Sequence, residues 1–344
     1  MTSTQAAPAS HDAAEEFLDR RTPAQRVQTV LHRYPWLSPA IVLLLSVIVF
    51  SSLNQSFASP NNLSLITQQV AVVGALAVGQ TLIILTAGID LSCGAIMVFA
   101  SMVMAKVAFD TGIPGYLSIL LGMLVGGLSG WFNGFLVTKV RLPPFIVTLG
   151  TLNIFAAFTL LYATGRTIRD TELANGLAWL GHTITVGKMN VTTGVLVMLV
   201  IYAVFAYVLR YTAWGRHVYA VGDDADAARL AGIQVTRVLL SVYVVAGLLY
   251  AITGWILIGR VNAASPNSGI EANLDSITAV VIGGTSLFGG RGTVLGSLIG
   301  ALIVGVFRNG LSLAGLDVYY QTLAVGILVI LAVSVDQWIR RGRA

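Results

Sequence analysis

Charge is the scarce ingredient of this chain. Only 10% of its 344 residues are Asp, Glu, Lys or Arg, against about 25% in a soluble globular protein. Residues 34–89 carry no charged side chain, and 111–138, 142–165, 189–209 and 238–259 are equally bare. A bilayer-crossing helix needs roughly 20 mostly apolar residues, so each run holds a span and the first holds two. The deficit excludes a soluble enzyme, a nucleic-acid-binding module and a disordered chain. A net charge of +5 does not restore a nucleic-acid partner. The basic residues sit in short segments between apolar runs, where they set membrane topology.

Cysteine is almost absent, and Cys93 alone rules out an internal disulfide or a multi-thiolate metal site; it reads as a small buried hydrophobe. The four histidines, His11, His32, His182 and His217, are scattered without metal-ligand spacing. No Ser/His/Asp arrangement is present. GHTITVGKM at 181–189 has one residue too many between its glycines for a phosphate loop, and Met follows its Lys. GGRGTVLG at 289–296 lies between apolar runs, without the strand and helix of a dinucleotide site. The chain therefore carries no catalytic residue, no cofactor site and no metal site, and it cannot hydrolyse ATP by itself. The N-terminus also lacks the apolar core of a secretory signal before Ile41. Its mixture of acids and arginines over 11–33 reads as a cytoplasmic tail, partly helical on the membrane surface.

What is present is a series of apolar helices. Ten candidates run at about 39–53, 65–87, 94–110, 115–138, 145–163, 191–209, 238–258, 274–289, 293–309 and 318–336. The fold class is all-α and polytopic, with some helices broken at Gly-rich points. An even count puts both termini on one side. With both termini inside, the cytoplasmic segments hold 14 of the 20 Lys and Arg residues and the outer segments 6, which the positive-inside rule favours. The organisation is a cytoplasmic tail at 1–37, a membrane domain at 38–338 and a short cytoplasmic tail at 339–344. An outer loop at 164–190 is polar enough to fold as a cap or to meet a partner. An inner loop at 210–237 contains a candidate helix from Asp224 to Leu230, with acids at its start, Arg229 near its end and Gly232 as a stop. Such a helix suits docking of a soluble partner; a merely solvated connection is the alternative.

Glycines recur every fourth residue from Gly122 through Gly126 and Gly130 to Gly134, and again at Gly292, Gly296 and Gly300. Lipid tails are as apolar as Leu, so membrane helices associate by close backbone approach, which glycine permits. Polar residues within the spans, Gln68, Gln80, Asn133, Thr148 and Asn153 among them, suit a path for an uncharged hydroxylated solute. Asp90 lies between Gly88 and Gly94 in TAGIDLSCG. A carboxylate in mid-bilayer costs about 2.5–3.5 kcal/mol on insertion scales, so it faces a partner, a wet cavity or the interface. Capping the restart of a broken helix is one role for it; direct contact with a solute is the other.

GQTLIILTAGIDLSCGAIM (79–97) and NGFLVTKVRLPPFIVTLGTL (133–152) closely resemble the permease subunits of bacterial ABC importers for sugars, of the ribose/xylose/galactose type. These are related more distantly to branched-chain amino-acid permeases. The resemblance continues through GRHVYAVGDDADAARLAGIQVTRV (215–238) and the stretch 259–311, covering roughly 40–336. It implies a multi-pass protein of the bacterial inner membrane, paired with a second permease copy or a related chain. ABC ATPase subunits dock beneath, and a periplasmic or lipid-anchored binding protein delivers the sugar. The segment 215–236 matches the family's cytoplasmic coupling loop, here carried by Gly215, Arg216, Gly222, Asp223, Asp224, Arg229 and Gly232. Asp223-Asp224 stands where the family usually has Gly-Asn, and Cys93 where Val is common.

A passive pore cannot concentrate sugar. Swinging two access states from 1:99 to 99:1 takes about 5.5 kcal/mol of differential binding, which ATP-driven closure of a partner would supply through loop 215–236. Flexing positions are expected at Gly88, Gly94 and Gly284. Two other classes compete. An ion-driven secondary transporter wants several paired ionisable residues deep in the spans, and only Asp90 qualifies. Amino-acid transport favours a buried Arg or Lys in the path, and the first half of the chain offers none.

Overall fold

The computed structural model describes residues 36–269 and 271–341, so the expected N-terminal tail at 1–35 and residues 342–344 fall outside it. Twelve α-helices are present among the described residues. They are α1 Leu37–Leu53, α2 Pro60–Leu85, α3 Cys93–Thr111, α4 Gly115–Phe135, α5 Pro144–Ala163, α6 Thr193–Tyr211, α7 Ala213–Asp223, α8 Ala225–Leu230, α9 Val235–Val261, α10 Ala272–Ile282, α11 Val294–Leu313 and α12 Val318–Arg341. Seven of them, α2 to α6, α9 and α11, are long and apolar enough to cross a membrane, α4 running on through a π turn at Leu136–Val140. The apolar stretches of α1, α10 and α12 are shorter. The architecture is that of a polytopic helical membrane protein.

Local chemistry sets the helix starts. The Ser59 hydroxyl accepts the Asn62 N–H ahead of Pro60, a residue whose missing N–H costs nothing at a first helical position. Thr212 and Thr293 cap α7 and α11 in the same way, accepting the N–H of Gly215 at 3.1 Å and of Gly296 at 3.0 Å. The expected eighth span stops early. It reaches Ile282 rather than 289, because Gly284, Gly289, Gly290 and Gly292 all take positive φ and turn the chain through an irregular loop at 283–293. Conversely α7 was not foreseen as a helix, although Val218 and Val221 bury one side of it.

The glycine ladders are where helices meet backbone to backbone. A Cβ on Gly126 would lie 2.5 Å from the Gly247 carbonyl oxygen of α9, and one on Gly130 would overlap the Tyr243 carbonyl. Gly296 and Gly300 of α11 stand equally close to the Gly283 and Ala279 carbonyls. α2 is the most enclosed span, 83% of its apolar window being buried, whereas only 28% of the α5 window is. Asn62 and Asn309 exchange side-chain hydrogen bonds at 2.8 and 2.9 Å, tying the start of α2 to α11.

The two ends of the bundle differ. At one end the C-terminus of α2, the helices α7 and α8 and the loop 283–293 come together. At the other, the segment after α5 forms a cap. Its strand β1 (Ile168–Arg169) pairs with β4 (Ala263–Ala264) just beyond α9, and β2 (Thr183–Val186) forms a hairpin with β3 (Met189–Thr192). The Trp255 indole of α9 donates to the Leu177 carbonyl at 2.9 Å and stacks near Trp179, holding this cap down.

Substituting Gly130 by Leu is expected to lower thermal stability in detergent by ~3 kcal/mol or to prevent folding, since backbone has to move to admit it. Gly326→Ala, at a helical glycine with open space around it, is expected to be neutral or to stabilise by about 0.5–1 kcal/mol.

Candidate translocation site

The most polar point inside the bundle is the interruption between α2 and α3. α2 ends in a Schellman turn: the Gly88 N–H bonds the Ile83 carbonyl at 3.0 Å and the Ala87 N–H bonds that of Ile84 at 3.0 Å. The left-handed position falls on Ala87, at φ 59°, and not on Gly88. Gly88 is needed for room instead, a Cβ there standing 3.0 Å from Ile83 and 3.4 Å from the Tyr243 hydroxyl. The chain stays non-helical to Ser92, leaving buried backbone groups that side chains of α2 and α5, and Asp90 within the interruption, satisfy.

Asp90 is almost wholly buried, and its Oδ1 accepts the Ser92 N–H at 2.8 Å and the Ser92 hydroxyl at 2.6 Å. These bonds close a turn just ahead of α3; they do not cap the helix, because Ser92 precedes its first residue and no first-turn N–H of α3 reaches Asp90. The Asn133 amide of α4 donates to the Ser92 hydroxyl at 2.8 Å, and Thr148 of α5 donates to the Ile89 carbonyl at 2.9 Å. Gln80 of α2 donates to the Asp90 carbonyl and, at 3.2 Å, to the Cys93 sulfur. Asn273 of α10, not foreseen from sequence, accepts the Gly94 N–H at 2.5 Å and so caps α3 from outside. Gly94 permits this approach, as a Cβ would overlap the Asn273 side-chain oxygen. Asp90 Oδ2, Gln80 Oε1, Asn133 Oδ1 and the hydroxyls of Tyr243 and Tyr250 are buried with no hydrogen-bond partner among the described residues, the Tyr250 hydroxyl lying toward Asp90.

Four of the six candidate path residues thus converge on one knot. The other two stand apart. Gln68 is half-buried near the far end of α2 and donates to Ser64 at 3.2 Å. Asn153 is exposed on α5, its amide turned back onto the Leu149 carbonyl at 3.1 Å. Gly150, three residues earlier, has open space around it. α5 therefore presents a polar amide and a bare backbone patch on a helix flanked by Ile146, Leu149 and Ile154, all exposed.

Sequence reasoning missed a second ionic group. Arg308 of α11 donates to Glu271 at 2.6 Å and to the buried Asp275 of α10 at 2.8 Å. The available signal was two opposite charges, Asp275 and Arg308, inside apolar runs. Among the described residues no group of three or more His, Cys, Asp or Glu could hold a metal ion.

At the α7–α8 end, the Asp224 carboxylate accepts the N–H groups of Asp226 and Ala227, both at 2.9 Å, and so starts α8. Arg229 reaches Asp226 at 2.9 Å, and Gly232 follows the helix at positive φ. Asp223, Asp224, Arg216, Arg229 and Leu230 are exposed. Trp214 anchors α7 to α9 by donating to Ser241 at 2.8 Å, and Gly215 packs against the backbone of Val208 and Leu209.

The family described as branched-chain amino acid transport system / permease component matches residues 62–333. The chain is 50% identical over 339 residues to the fructose import permease protein of Rhizobium meliloti, covering 97% of this chain and 94% of that one. It is 40% identical over 301 residues to the ribose import permease protein of Bacillus subtilis, covering 88% and 92%. Against the ribose import permease protein of Escherichia coli K12 the identity is 38% over 299 residues, covering 86% and 92%. No solved structure matches.

Asp90→Asn keeps an acceptor for the Ser92 N–H and is expected to leave the thermal unfolding midpoint nearly unchanged. Asp90→Leu strands that N–H and the Ser92 hydroxyl, and is expected to destabilise by about 1–3 kcal/mol in the same measurement.

Proposed function

Because the chain belongs to the permease-component family of the branched-chain amino acid transport system type, we propose that it works as one half of a sugar conduit driven from outside the membrane. It is the membrane-spanning subunit of a bacterial sugar importer of the ATP-binding-cassette type, a multi-pass inner-membrane protein and not itself an enzyme. The observation that carries this reading is the 50% identity, over nearly the whole chain, to a permease that imports fructose. Sugar import displaces amino-acid and ion-coupled transport, since the ribose relatives are import permeases too.

The finer reading goes further. α1, α10 and α12 join the seven long helices as membrane segments, giving ten, with both termini in the cytoplasm as the 14-to-6 distribution of basic residues favours. The membrane domain at 38–338 meets ATPase subunits through the inner loop 210–237, and the outer loop 164–190 faces a sugar-binding protein. A second permease copy covers α5. An Asn and an open glycine exposed on a charge-free span support that pairing, because a polar side chain bonded only to its own helix gains nothing from facing lipid. Asn153 then borders the path, while Gln80, Asp90, Asn133 and Thr148 hold its wall and shift only when the interruption at 86–92 moves.

In vesicles, the chain assembled with its ATPase and binding protein is expected to accumulate fructose or another monosaccharide only with ATP inside. Accumulation without the ATPase, abolished by an uncoupler, would overturn the reading. Asn153→Leu is expected to slow uptake about tenfold, ~1.4 kcal/mol on the barrier, and Asn153→Cys to form a cross-linked dimer with a short bifunctional reagent. Wild-type uptake together with no cross-link would remove the α5 pairing.

A further inference from the structure

Where α7 meets the rest of the bundle, three stretches of backbone touch with almost no side chain between them. A Cβ on Gly222, at the end of α7, would overlap the Leu85 carbonyl at the end of α2. One on Gly289 would lie 2.5 Å from the Gly222 carbonyl and 2.9 Å from the Ala87 N. One on Gly290 would lie 2.8 Å from Asp223 Cα. The Gly290 N–H donates to the Leu85 carbonyl at 3.0 Å, and the Tyr219 hydroxyl of α7 donates to the Gly292 carbonyl at 2.9 Å. The loop 283–293 is closed on itself by the Ser286 N–H on the Arg291 carbonyl at 2.8 Å.

We propose that this glycine joint is the linkage that carries movement of α7 to the interruption at 86–92, with loop 283–293 as the intermediate piece and Tyr219 as its positioning residue. The inference rests on the ATP-driven reading above and deepens it. Backbone in direct contact has no rotamer to absorb a displacement, so a shift of α7 is passed on undiminished; packed elements of this kind switch between discrete arrangements. Ala87, already in a left-handed conformation that a residue with a Cβ disfavours, is the first residue on the receiving side. Three residues further on lies Asp90, whose bonds reach α4 through Ser92 and Asn133, while Thr148 brings in α5 at Ile89. The same loop ends at the start of α11 and begins at the end of α10, so both helices share the push. Phe288, 78% exposed at the tip of the loop, extends this surface beside α7.

The experiment reconstitutes the complete complex with ATPase and binding protein, and measures sugar taken up per ATP hydrolysed for wild type, Tyr219→Phe and Gly289→Ala. Both variants are expected to lower this ratio at least about fivefold, the low end of site-to-site coupling, with the ATPase still bound by size-exclusion chromatography. A ratio equal to that of wild type in Tyr219→Phe overturns the linkage, and that variant decides the matter if Gly289→Ala does not assemble. Loss of ATPase binding in Tyr219→Phe overturns it as well, because Tyr219 would then serve docking. Wild-type complex that accumulates no sugar with ATP would instead sink the transport reading itself.

Discussion

Every peptide group taken out of water needs a hydrogen-bond partner, and inside a bilayer only protein supplies one. A helix satisfies that demand by itself; an interruption does not. The seven residues between α2 and α3 therefore need partners from outside, which side chains of the surrounding helices supply. Asn133, Thr148 and Asn273 come from three helices remote in the chain, yet with Gln80, Asp90 and Ser92 each bonds the interruption or its immediate flank. Polar side chains that look like a solute path in the sequence serve here first as the scaffold of a broken helix. The two roles are compatible, because a knot of this kind holds only while its partners keep their relative positions.

Close packing answers the second demand. With lipid as apolar as the side chains, helices gain from touching only where backbone meets backbone. The ladders along α4 and α11 do this against α9 and α10, and the same device recurs at the α7 joint, where a short helix and a loop meet the end of α2. One chemical solution thus provides both rigid association within the membrane and stiff contact at its surface.

Much of this was legible in the sequence, for identifiable reasons. Helix positions followed from apolar run length, and α8 from Asp224, Arg229 and Gly232, whose preferences are local. The ladder glycines were recognisable by spacing. What escaped depends on distant partners. Asn273 as a cap for α3, Ala87 rather than Gly88 in the left-handed position, and the Asp275–Arg308 pair are all set by contacts between segments remote in sequence. α10 was drawn too long because the apolar pattern persists through Leu287 and Phe288 while the glycines around them turn the backbone out of the helix. The interruption itself was suspected from Gly88 and Gly94, but single-residue geometry decides which of its members turns left-handed and which one makes room.

The shortness of α10 bears on how it is held in place. Eleven residues rise only ~16 Å, about half the ~30 Å hydrocarbon thickness, so α10 by itself is too short to cross a bilayer. Glu271, at that start, is half exposed and takes one arm of Arg308, whose other arm holds the buried Asp275. The short helix is thus held at its start by charge and at its end by backbone, where Gly283 meets the Gly296 carbonyl of α11.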